Sequence, residues 1–439
     1  MNKKIRRGVK NLSFLFTNFF NVFIFIKKIY MEKIKVLVVP SDNCGCGYYR
    51  SLRPHTKLQE NHSDEFDVTI KYDFNWRDLN TLAKYDILHF HKGVYGDIEG
   101  FRLALQFCKE RGIKTVMDID DYWDLGPAHP NYLGYKNTGL DKIIKENVSL
   151  ADYITTTTPI FEQELKKYNP NVRVFVNAID PEEEQFIPKD IKKTDRIRFG
   201  MIMGSSHQND VEMLRGMVNR LPKDIVDKIQ IVLCGYDLRG TVQMFNEKGE
   251  CTTRPIQPKE SVWYVYEKIL TDDYKAVTPE YKEFLSHFLQ NVQYPNVDNE
   301  PYKRCWTKDI MNYCTHYNEI DVLIVPLADN RFNSFKSELK LIEAGMMNKA
   351  VIVSDFGPYQ IGTKNLFEKG GKINEDGNVI LIDNKKRDKE WSKAIEKLVK
   401  NPEYIEMLKT NLHNTIKDKY NLSNVTKERV EFYKEIVKK

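Results

Sequence analysis

The sequence predicts an α/β protein made of two Rossmann-like, doubly wound domains that face one cleft. The first observation is length, since 439 residues exceed the size at which a single hydrophobic core stops growing. The second is composition, because 41% hydrophobic and 29% charged residues are typical of a folded globular protein. The third is pattern: two series of short β-branched runs alternate with helical stretches, one on each side of a polar segment. Such alternation builds parallel sheets that are covered on both faces.

The first series spans residues 31–180 and predicts the N-terminal domain. Its β-branched runs are short and apolar, which is typical of buried parallel strands. The predicted strands are Lys35–Pro40, Phe66–Tyr72, Asp86–Phe90, Lys114–Ile119, Tyr153–Thr158 and Val172–Val176. Helical patterns between these strands include Phe101–Arg111 and Leu140–Leu150.

The second series predicts a C-terminal domain over residues 196–400. Residues 181–195 are charged, contain two prolines and follow neither periodicity, so they predict the linker between the domains. The predicted strands are Ile197–Met203, Gln230–Gly235, Asp321–Pro326, Ala350–Ser354 and Val379–Ile382. Residues 236–318 interrupt this series as an insertion to which periodicity assigns no role. Residues 401–439 predict two polar amphipathic helices, near Pro402–Lys419 and Ser423–Val437.

Two doubly wound domains in succession bring the carboxyl ends of both sheets to one cleft, where open parallel sheets bind their ligands. Neither first strand is followed by the G-x-G-x-x-G pattern, which argues against a dinucleotide-dependent oxidoreductase. The chain also lacks G-x-x-x-x-G-K-[ST], so the P-loop class is excluded.

The charge of the chain is unevenly distributed. Residues 1–30 hold seven basic and no acidic residues, whereas the other 409 residues hold 60 basic and 62 acidic ones. A body so close to neutral argues against a nucleic-acid-binding protein. Seven cysteines without a C-x-x-C pair predict a reducing compartment, and hence a cytoplasmic protein.

The N-terminal segment contains an apolar run, residues 12–26, that is too short to cross a hydrocarbon core of about 30 Å. No small-residue cleavage site follows it, which argues against a cleaved signal peptide. Its polar and apolar residues fall largely on opposite sides of a helix, so residues 1–30 predict a basic amphipathic helix on the inner, anionic face of a membrane. The alternative is that translation begins at Met31 and the first thirty residues are dispensable.

The segment Asp321–Tyr359 carries the most specific chemical pattern. A buried strand is followed by a polar loop and by a helix that we expect to start near Phe335, with Asn333 or Ser334 as its cap. The helix start then offers free backbone N–H groups at the carboxyl end of a strand.

Three charged residues of this helix, Lys336, Lys340 and Glu343, fall on one stripe. The two lysines and the helix N-terminus predict an anion site suited to a diphosphate, and Glu343 is placed to accept hydrogen bonds from a ribose diol. The alternative is a solvated Lys/Glu face, which is the usual meaning of such a stripe.

The same segment resembles the donor-binding region of GT-B nucleotide-sugar glycosyltransferases of the broad family-4 type, especially bacterial surface-polysaccharide enzymes. The matching residues are Pro326-Leu327, Asp329-Asn330, Phe332-Asn333, Lys336-Ser337, Lys340 and Glu343. The family pattern usually has a second glutamate at the position of Phe335. Glu338 and Asn333 are the alternatives for contacting the hydroxyls of the donor sugar.

Four further motifs resemble the same enzymes in the same order along the chain. Gly204–His207 with Asp210 resembles the loop after the first strand of the C-terminal domain, and Val176–Asp180 resembles the end of the N-terminal domain. Asp118–Asp121 resembles a D-x-D-D motif that precedes an aromatic residue. Gly45–Arg50 resembles the flexible glycine loop after the first strand.

The resemblance implies a retaining transfer of sugar from a nucleotide-diphosphate sugar to a glycan or lipid-linked acceptor in polysaccharide biosynthesis, without metal or other cofactor. The donor-binding residues that it implies are Gly204, Ser205, Ser206, Asn333, Lys336, Ser337, Lys340 and Glu343. Those implied for catalysis are His207, Lys340 and Asp120. Those implied for the acceptor are Gly45, Gly47, Tyr49, Arg50 and Asp121.

Simpler interpretations stay open beside this one. His207 would then be an ordinary loop histidine, Asp120 and Asp121 a helix cap and a solvated charge, and the glycines a tight turn. Phe335 in place of glutamate favours a non-catalytic scaffold that binds a sugar or nucleotide. A GT-B sugar-nucleotide epimerase, which needs no separate acceptor, is the nearer alternative.

Overall fold

The structure is a computed structural model that describes residues 32–93, 96–245, 251–271 and 298–438. Within those four ranges, no helix is both long enough and apolar enough to cross a membrane. The amphipathic helix predicted for residues 1–30 lies outside the described residues.

The first sheet consists of six parallel strands. They are β1 Ile34–Val39, β2 Phe66–Ile70, β3 Ile87–His91, β4 Lys114–Ile119, β5 Tyr153–Thr156 and β6 Val172–Val174. Their order across the sheet is β2-β1-β3-β4-β5-β6, so Val36 lies between Val68 and Ile87. Val36 is fully buried, as expected for a central parallel strand with helices on both faces. All six predicted strands are confirmed, with ends that differ by at most two residues.

The helices of the first domain lie between these strands. They are α1 Arg53–Asn61, α2 Leu79–Leu82, α3 Ile98–Arg111, α4 Tyr132–Thr138, α5 Leu140–Leu150 and α6 Pro159–Leu165. A short turn, Gly45–Gly47, and a π-helical turn, Tyr48–Leu52, lead into α1. At α3 the Asp97 side chain accepts a hydrogen bond from the backbone N–H of Gly100, and Gly112 ends the helix at φ +73°. These are the cap residues that such helix ends favour.

The second sheet also has six parallel strands. They are β7 Ile197–Ile202, β8 Ile229–Tyr236, β11 Tyr302–Trp306, β12 Val322–Val325, β13 Ala350–Ser354 and β14 Ile380–Ile382. Their order is β11-β8-β7-β12-β13-β14. The five strands predicted for this domain are confirmed to within one residue at each end.

The described residues of the predicted insertion, 236–318, include three strands that periodicity did not reveal. Two of them, β9 Thr241–Phe245 and β10 Cys251–Pro255, form an antiparallel pair. The third, β11, extends the second sheet at its edge, so the insertion is shorter than predicted. Its sequence, YKRCW, places charged residues on a partly exposed edge strand, which removes the apolar signal on which strand prediction depends.

The second domain carries the remaining helices. They are α7 Gln208–Val211, α8 Lys223–Val226, α9 Val262–Thr271, α10 Arg331–Ser334, α11 Leu339–Met346, α12 Arg387–Lys400, α13 Glu403–Ile416 and α14 Leu422–Lys438. The two predicted C-terminal helices are therefore present as α13 and α14. Helix α13 packs against α11 so closely that a Cβ on Gly345 would lie 2.6 Å from Ile416.

Helix α14 returns to the first domain and packs against α1. The hydroxyl of its Tyr433 lies 2.7 Å from Nε2 of His55 and 3.0 Å from Nδ1 of His89. Burial lowers the pKa of both histidines well below the ordinary value of 6.5, so both are neutral in the folded protein. His89 therefore has a structural role in joining the C-terminal helix to the first sheet.

Candidate functional site

The carboxyl ends of the two sheets face each other across two adjoining cavities. The larger, of about 200 Å³, is lined from the second domain by Ser206, His207, Asn209, Asp210, Asn330 and Asn333, and from the first by residues 126–129. The smaller, of about 140 Å³, is lined mainly by the first domain, including Lys92, Asp121, Trp123, Asn131 and Tyr135. Four residues line both cavities: His129, Ser206, Phe332 and Lys336. The site is thus built from both domains.

The loop Gly204–His207 follows β7, as predicted, and is held from below by a tyrosine. The hydroxyl of Tyr266 accepts a hydrogen bond from the backbone N–H of His207 at 3.0 Å and donates one to the carbonyl of Ser205 at 3.1 Å. Ser206 and His207 line the cavity, whereas Gly204 and Ser205 are exposed beside it. Because the buried tyrosine hydroxyl bonds to the backbone of the loop, the side chains of the loop stay available for other contacts.

His207 is oriented by Asp210, one turn further along the chain. Nδ1 of His207 lies 2.7 Å from Oδ2 of Asp210, and Oδ1 of Asp210 accepts hydrogen bonds from the Ala328 backbone N–H and the Asn333 side chain. Burial lowers the pKa of His207, although the hydrogen bond to Asp210 acts in the opposite direction. In the neutral tautomer that donates through Nδ1, Nε2 is left as a hydrogen-bond acceptor.

The segment after β12 differs from the continuous helix that the sequence predicts. Asn330, rather than Asn333 or Ser334, is the cap, since its side chain accepts a hydrogen bond from the backbone N–H of Asn333. Helix α10 ends after one turn, and α11 begins only at Leu339. The helix start predicted near Phe335 is therefore wrong, because this part of the chain forms a turn between two helices.

Lys336 lies in that turn and is the cation that the two cavities share. Its side chain is 21% exposed, its Nζ lies 3.9 Å from Oδ1 of Asp121, and it stands 4.8 Å from the ring centre of Phe332. These contacts are loose, so the ammonium group keeps donors for a ligand. The sequence prediction placed Lys336 correctly at the cleft.

Lys340 and Glu343 occupy a different place from the one predicted. Glu343 is 1% exposed, and it accepts hydrogen bonds from Tyr49, Tyr317 and Lys340, each at 2.8 Å. Lys340 also donates to the hydroxyl of Tyr313 at 2.9 Å. Burial opposes the charge of Lys340, but Glu343 and Tyr313 outweigh it and raise its pKa. Neither residue lines the two cavities, and the ribose contact of Glu343 and the diphosphate contact of Lys340 stay predictions.

Most residues of the glycine loop of the first domain, Gly45–Arg50, also contact other parts of the protein rather than the cavities. A Cβ on Gly47 would lie 1.9 Å from the backbone carbonyl oxygen of Asp42, so that position requires glycine, whereas Gly45 has open space around it. Tyr49 is 5% exposed and is bound to Glu343 of the other domain. The hydroxyl of Tyr49 is therefore buried between the domains, and the acceptor contact predicted for this residue stays a prediction.

Arg50 is also buried, at 1% exposure. Its guanidinium donates two hydrogen bonds to Asp118, each at 2.8 Å, and one to Asn177 at 3.0 Å. Asn177 in turn donates to the hydroxyl of Ser337 at 2.8 Å, across the domain boundary. The donors of Arg50 are thus engaged within the protein, and the hydroxyl of Ser337 joins the domains; the acceptor contact of Arg50 and the donor contact of Ser337 stay predictions.

A second charged group lies at the ends of β3 and β4. Asp120 lies 3.0 Å from Nε2 of His91 and 2.8 Å from Nζ of Lys92, which is also 3.4 Å from Asp121. Burial opposes the charge of Lys92, but Asp120 and other neighbours outweigh it and raise its pKa well above the ordinary value. Lys92 has φ +56°, a left-handed conformation that costs a non-glycine residue about 1 kcal/mol.

Among the described residues, Cys46, Asp120 and Asp121 have potential metal-ligand atoms within 4.8 Å of one another. The ammonium group of Lys92 already lies at hydrogen-bond distance from Asp120. A metal ion would therefore have to displace Lys92 to be held here by these carboxylates.

The two domains are also joined by an aromatic cluster that contains the residue expected to be glutamate. The Phe335 ring lies 4.7 Å from that of Tyr122 and 5.3 Å from that of Phe161. Beside it, Arg331 forms an ion pair of 3.0 Å with Glu164 and stands 5.2 Å from the Tyr122 ring centre. Phe335 thus faces the core of the first domain, and its ring lines neither cavity.

Sequence reasoning missed several residues of the site. The loop 126–129 lines the larger cavity, and Lys92 lines the smaller one. The G-P-A-H-P sequence after an aromatic pair was the available signal for the loop, since glycine and proline mark a turn. Lys92 gives no such signal, because its position depends on a backbone conformation that the sequence does not reveal.

Comparison with known proteins shows the fold. No protein-family model matches the chain, and no curated protein matches it. The chain is similar to HepE of Anabaena in complex with UDP-glucose, with 11% identity, TM-score 0.58, and coverage of 92% of this chain and 100% of that one. It is also similar to a glycosyltransferase of Rickettsia africae, with 12% identity, TM-score 0.55 and 93% and 100% coverage. The catalytic domain of starch synthase IV of Arabidopsis thaliana, bound to ADP and acarbose, gives 10% identity, TM-score 0.55 and 93% and 100% coverage. The chain therefore has the two-domain GT-B fold, and the predicted fold class is confirmed.

Proposed function

We propose that this protein is a glycosyltransferase that moves a sugar from a nucleotide-diphosphate sugar to a glycan or lipid-linked acceptor. The observation that carries this proposal is the pair of cavities between two GT-B domains, lined by Lys336, Ser206 and His207. The similar HepE structure holds UDP-glucose, and the similar starch synthase domain holds ADP.

The reaction needs positive potential where the leaving diphosphate gains charge. Lys336 supplies it, since its ammonium group lines both cavities and has loose protein contacts. Ser206 and His207, which also line the larger cavity, are the hydrogen-bonding partners of the diphosphate or of the sugar beside it. Asp210 holds the imidazole in position for that contact.

The proposal needs no metal ion. Lys92 neutralises Asp120 in the first domain, and Lys336 provides a cation at the diphosphate. Retention of anomeric configuration rests on the resemblance to family-4 enzymes, which the segment from Pro326 to Glu343 carries. The role in cell-surface polysaccharide biosynthesis rests on the same resemblance, and the cytoplasmic location rests on the cysteine pattern, which predicts a reducing compartment.

The acceptor side of the proposal involves the N-terminal segment. Its seven basic residues and lack of acidic ones are suited to an anionic membrane surface on the inner face of the membrane. Docking there would bring the cleft close to a lipid-linked acceptor.

A panel of nucleoside diphosphates and nucleotide sugars, screened by thermal unfolding of the purified protein, tests the proposal. We expect one nucleoside diphosphate to raise the melting temperature, and its sugar conjugate to be hydrolysed or transferred. Binding without any turnover would favour the non-catalytic scaffold. The presence of Phe335 where the family pattern has a glutamate supports that alternative. Isomerisation of the sugar nucleotide without transfer would favour the epimerase. Failure of every compound to bind would contradict all three.

A further inference from the structure

The two cavities meet at Lys336, and this junction divides the site into two parts. Because Lys336 lines both, a diphosphate bound to it lies at the boundary. The larger cavity then receives the nucleoside, on the side of the second domain where Asn330 and Asn333 lie. The smaller cavity, on the other side of the same lysine, receives the group attached to the far phosphate.

The lining of the smaller cavity has the chemistry of a sugar subsite. A sugar ring presents apolar C–H faces and hydroxyl groups, and each hydroxyl that is buried needs a partner. Trp123 and Tyr135 supply aromatic surface, Asn131 supplies an amide, and Asp121 supplies a carboxylate. Carboxylates form the strong, charge-assisted hydrogen bonds to hydroxyl donors.

Among the described residues that line the two cavities, the carboxylates are Asp121 and Asp210. The oxygens of Asp210 are engaged by His207, Ala328 and Asn333, and the residue is 4% exposed. Asp121 is different. Its side chain is 32% exposed, and its two lysine contacts are long, at 3.4 Å from Lys92 and 3.9 Å from Lys336. It therefore has acceptor capacity that Asp210 lacks.

The neighbouring carboxylates Glu338 and Glu343 of the second domain line neither of the two cavities. Glu338 is 3% exposed; one of its oxygens accepts a hydrogen bond from Tyr420 at 2.8 Å, and the other is buried without a partner in the part of the chain that the structure describes. Glu343 accepts three hydrogen bonds. Among the described residues, the carboxylate that lines the smaller cavity therefore comes from the first domain.

We infer that Asp121 of the first domain binds the hydroxyls of the transferred sugar, with Lys92 as the residue that positions its carboxylate. This inference rests on the proposed function and changes the partner of Asp121 from the acceptor to the donor sugar. It makes sugar recognition depend on both domains, since the diphosphate is held by Lys336 of the second domain and the sugar by Asp121 of the first.

The test compares Asp121→Asn with wild type by calorimetry, using uridine, adenosine, guanosine and thymidine diphosphates, each alone and as its hexose conjugate. Asparagine keeps the shape of the side chain and removes its charge. We expect the variant to bind the nucleoside diphosphate at least as tightly as wild type, because a carboxylate close to Lys336 opposes an anion. We expect the affinity for the sugar conjugate, relative to the diphosphate, to fall about tenfold.

Asp124→Asn is the matched control. Asp124 is three residues further along the chain, is 54% exposed, is paired with Lys136, and lines neither cavity. It should leave the affinity ratio at the wild-type value, and thermal unfolding should show both variants folded. An unchanged ratio in Asp121→Asn would overturn the inference alone. A wild-type protein that binds no diphosphate of the panel would overturn the proposed function and this inference together.

Discussion

Replacing Phe335 with alanine should weaken the contact between the two domains. The ring is 8% exposed and contacts Tyr122 and Phe161 of the first domain at 4.7 and 5.3 Å. Truncation of a buried phenylalanine to alanine costs about 3–5 kcal/mol. Two aromatic pairs contribute about 1–3 kcal/mol of that amount. We expect about 3 kcal/mol, because a site beside a cleft can relax more than one in a closed core.

The assay is urea unfolding followed by circular dichroism. Two-domain proteins often unfold in more than one step, but the shared aromatic cluster should couple the two domains of the wild type into one transition. In Phe335→Ala the second domain should unfold independently of the first, and the curve should separate into two transitions. A loss of less than about 1 kcal/mol with a single transition would refute the reasoning, since the ring would then contribute little to domain coupling.

Phe367→Ala is the control for this experiment. Phe367 is half-buried, and its ring contacts Tyr404 at 6.0 Å and Lys397 at 3.8 Å, all within the second domain. It should lower the free energy of unfolding without separating the transitions.

Further predictions follow from the same structure. Lys336→Ala should weaken nucleoside diphosphate binding at least tenfold in calorimetry. Lys340→Met should instead lower the free energy of unfolding by about 3 kcal/mol, because it leaves the buried carboxylate of Glu343 without its cation. Equal effects of the two variants on affinity would contradict the assignment of Lys336 to the ligand and Lys340 to the fold. Transfer activity should persist in excess EDTA, and a loss that Mg²⁺ or Mn²⁺ restores would place a metal at the carboxylates of the first domain. Buried, neutral His55 and His89 bind no proton in the folded state but do so when unfolded, so stability should fall as the pH drops below 6.5, by about 1.4 kcal/mol per pH unit for each histidine. His55→Gln should reduce that slope in denaturation curves measured at successive pH values, and an unchanged slope would count against it. Removal of residues 1–30 should abolish co-sedimentation with anionic vesicles at low salt while donor binding persists, and equal partitioning of both forms would contradict the membrane role.

The strand pattern was legible in the sequence because it is a local property. Each buried parallel strand, such as Ala350–Ser354, is an apolar run that a few residues define. The edge strand Tyr302–Trp306 escaped because two of its five residues, Lys303 and Arg304, are charged and interrupt the apolar run. The loop Gly204–His207 lies at the cleft because it follows β7, and the carboxyl ends of parallel strands meet there. Lys336 lies further from its strand, in the turn between α10 and α11, and still lines both cavities.

The sequence also determined which residue types could carry the chemistry: a lysine, a serine and a histidine after buried strands of a two-domain α/β chain. It could not decide which of these polar residues a neighbour would bury. Arg50 and Glu343 are residue types that often bind ligands. In this fold, however, Asp118 accepts hydrogen bonds from Arg50, and Tyr49 donates one to Glu343, so both charges are buried. The tertiary structure alone decides this, because a buried charge is stable only where residues distant in the chain supply an opposite charge or hydrogen bonds. The same packing directs the ring of Phe335 toward Tyr122 of the first domain. Of the two described carboxylates that line the cavities, it leaves Asp121 with the weaker protein contacts.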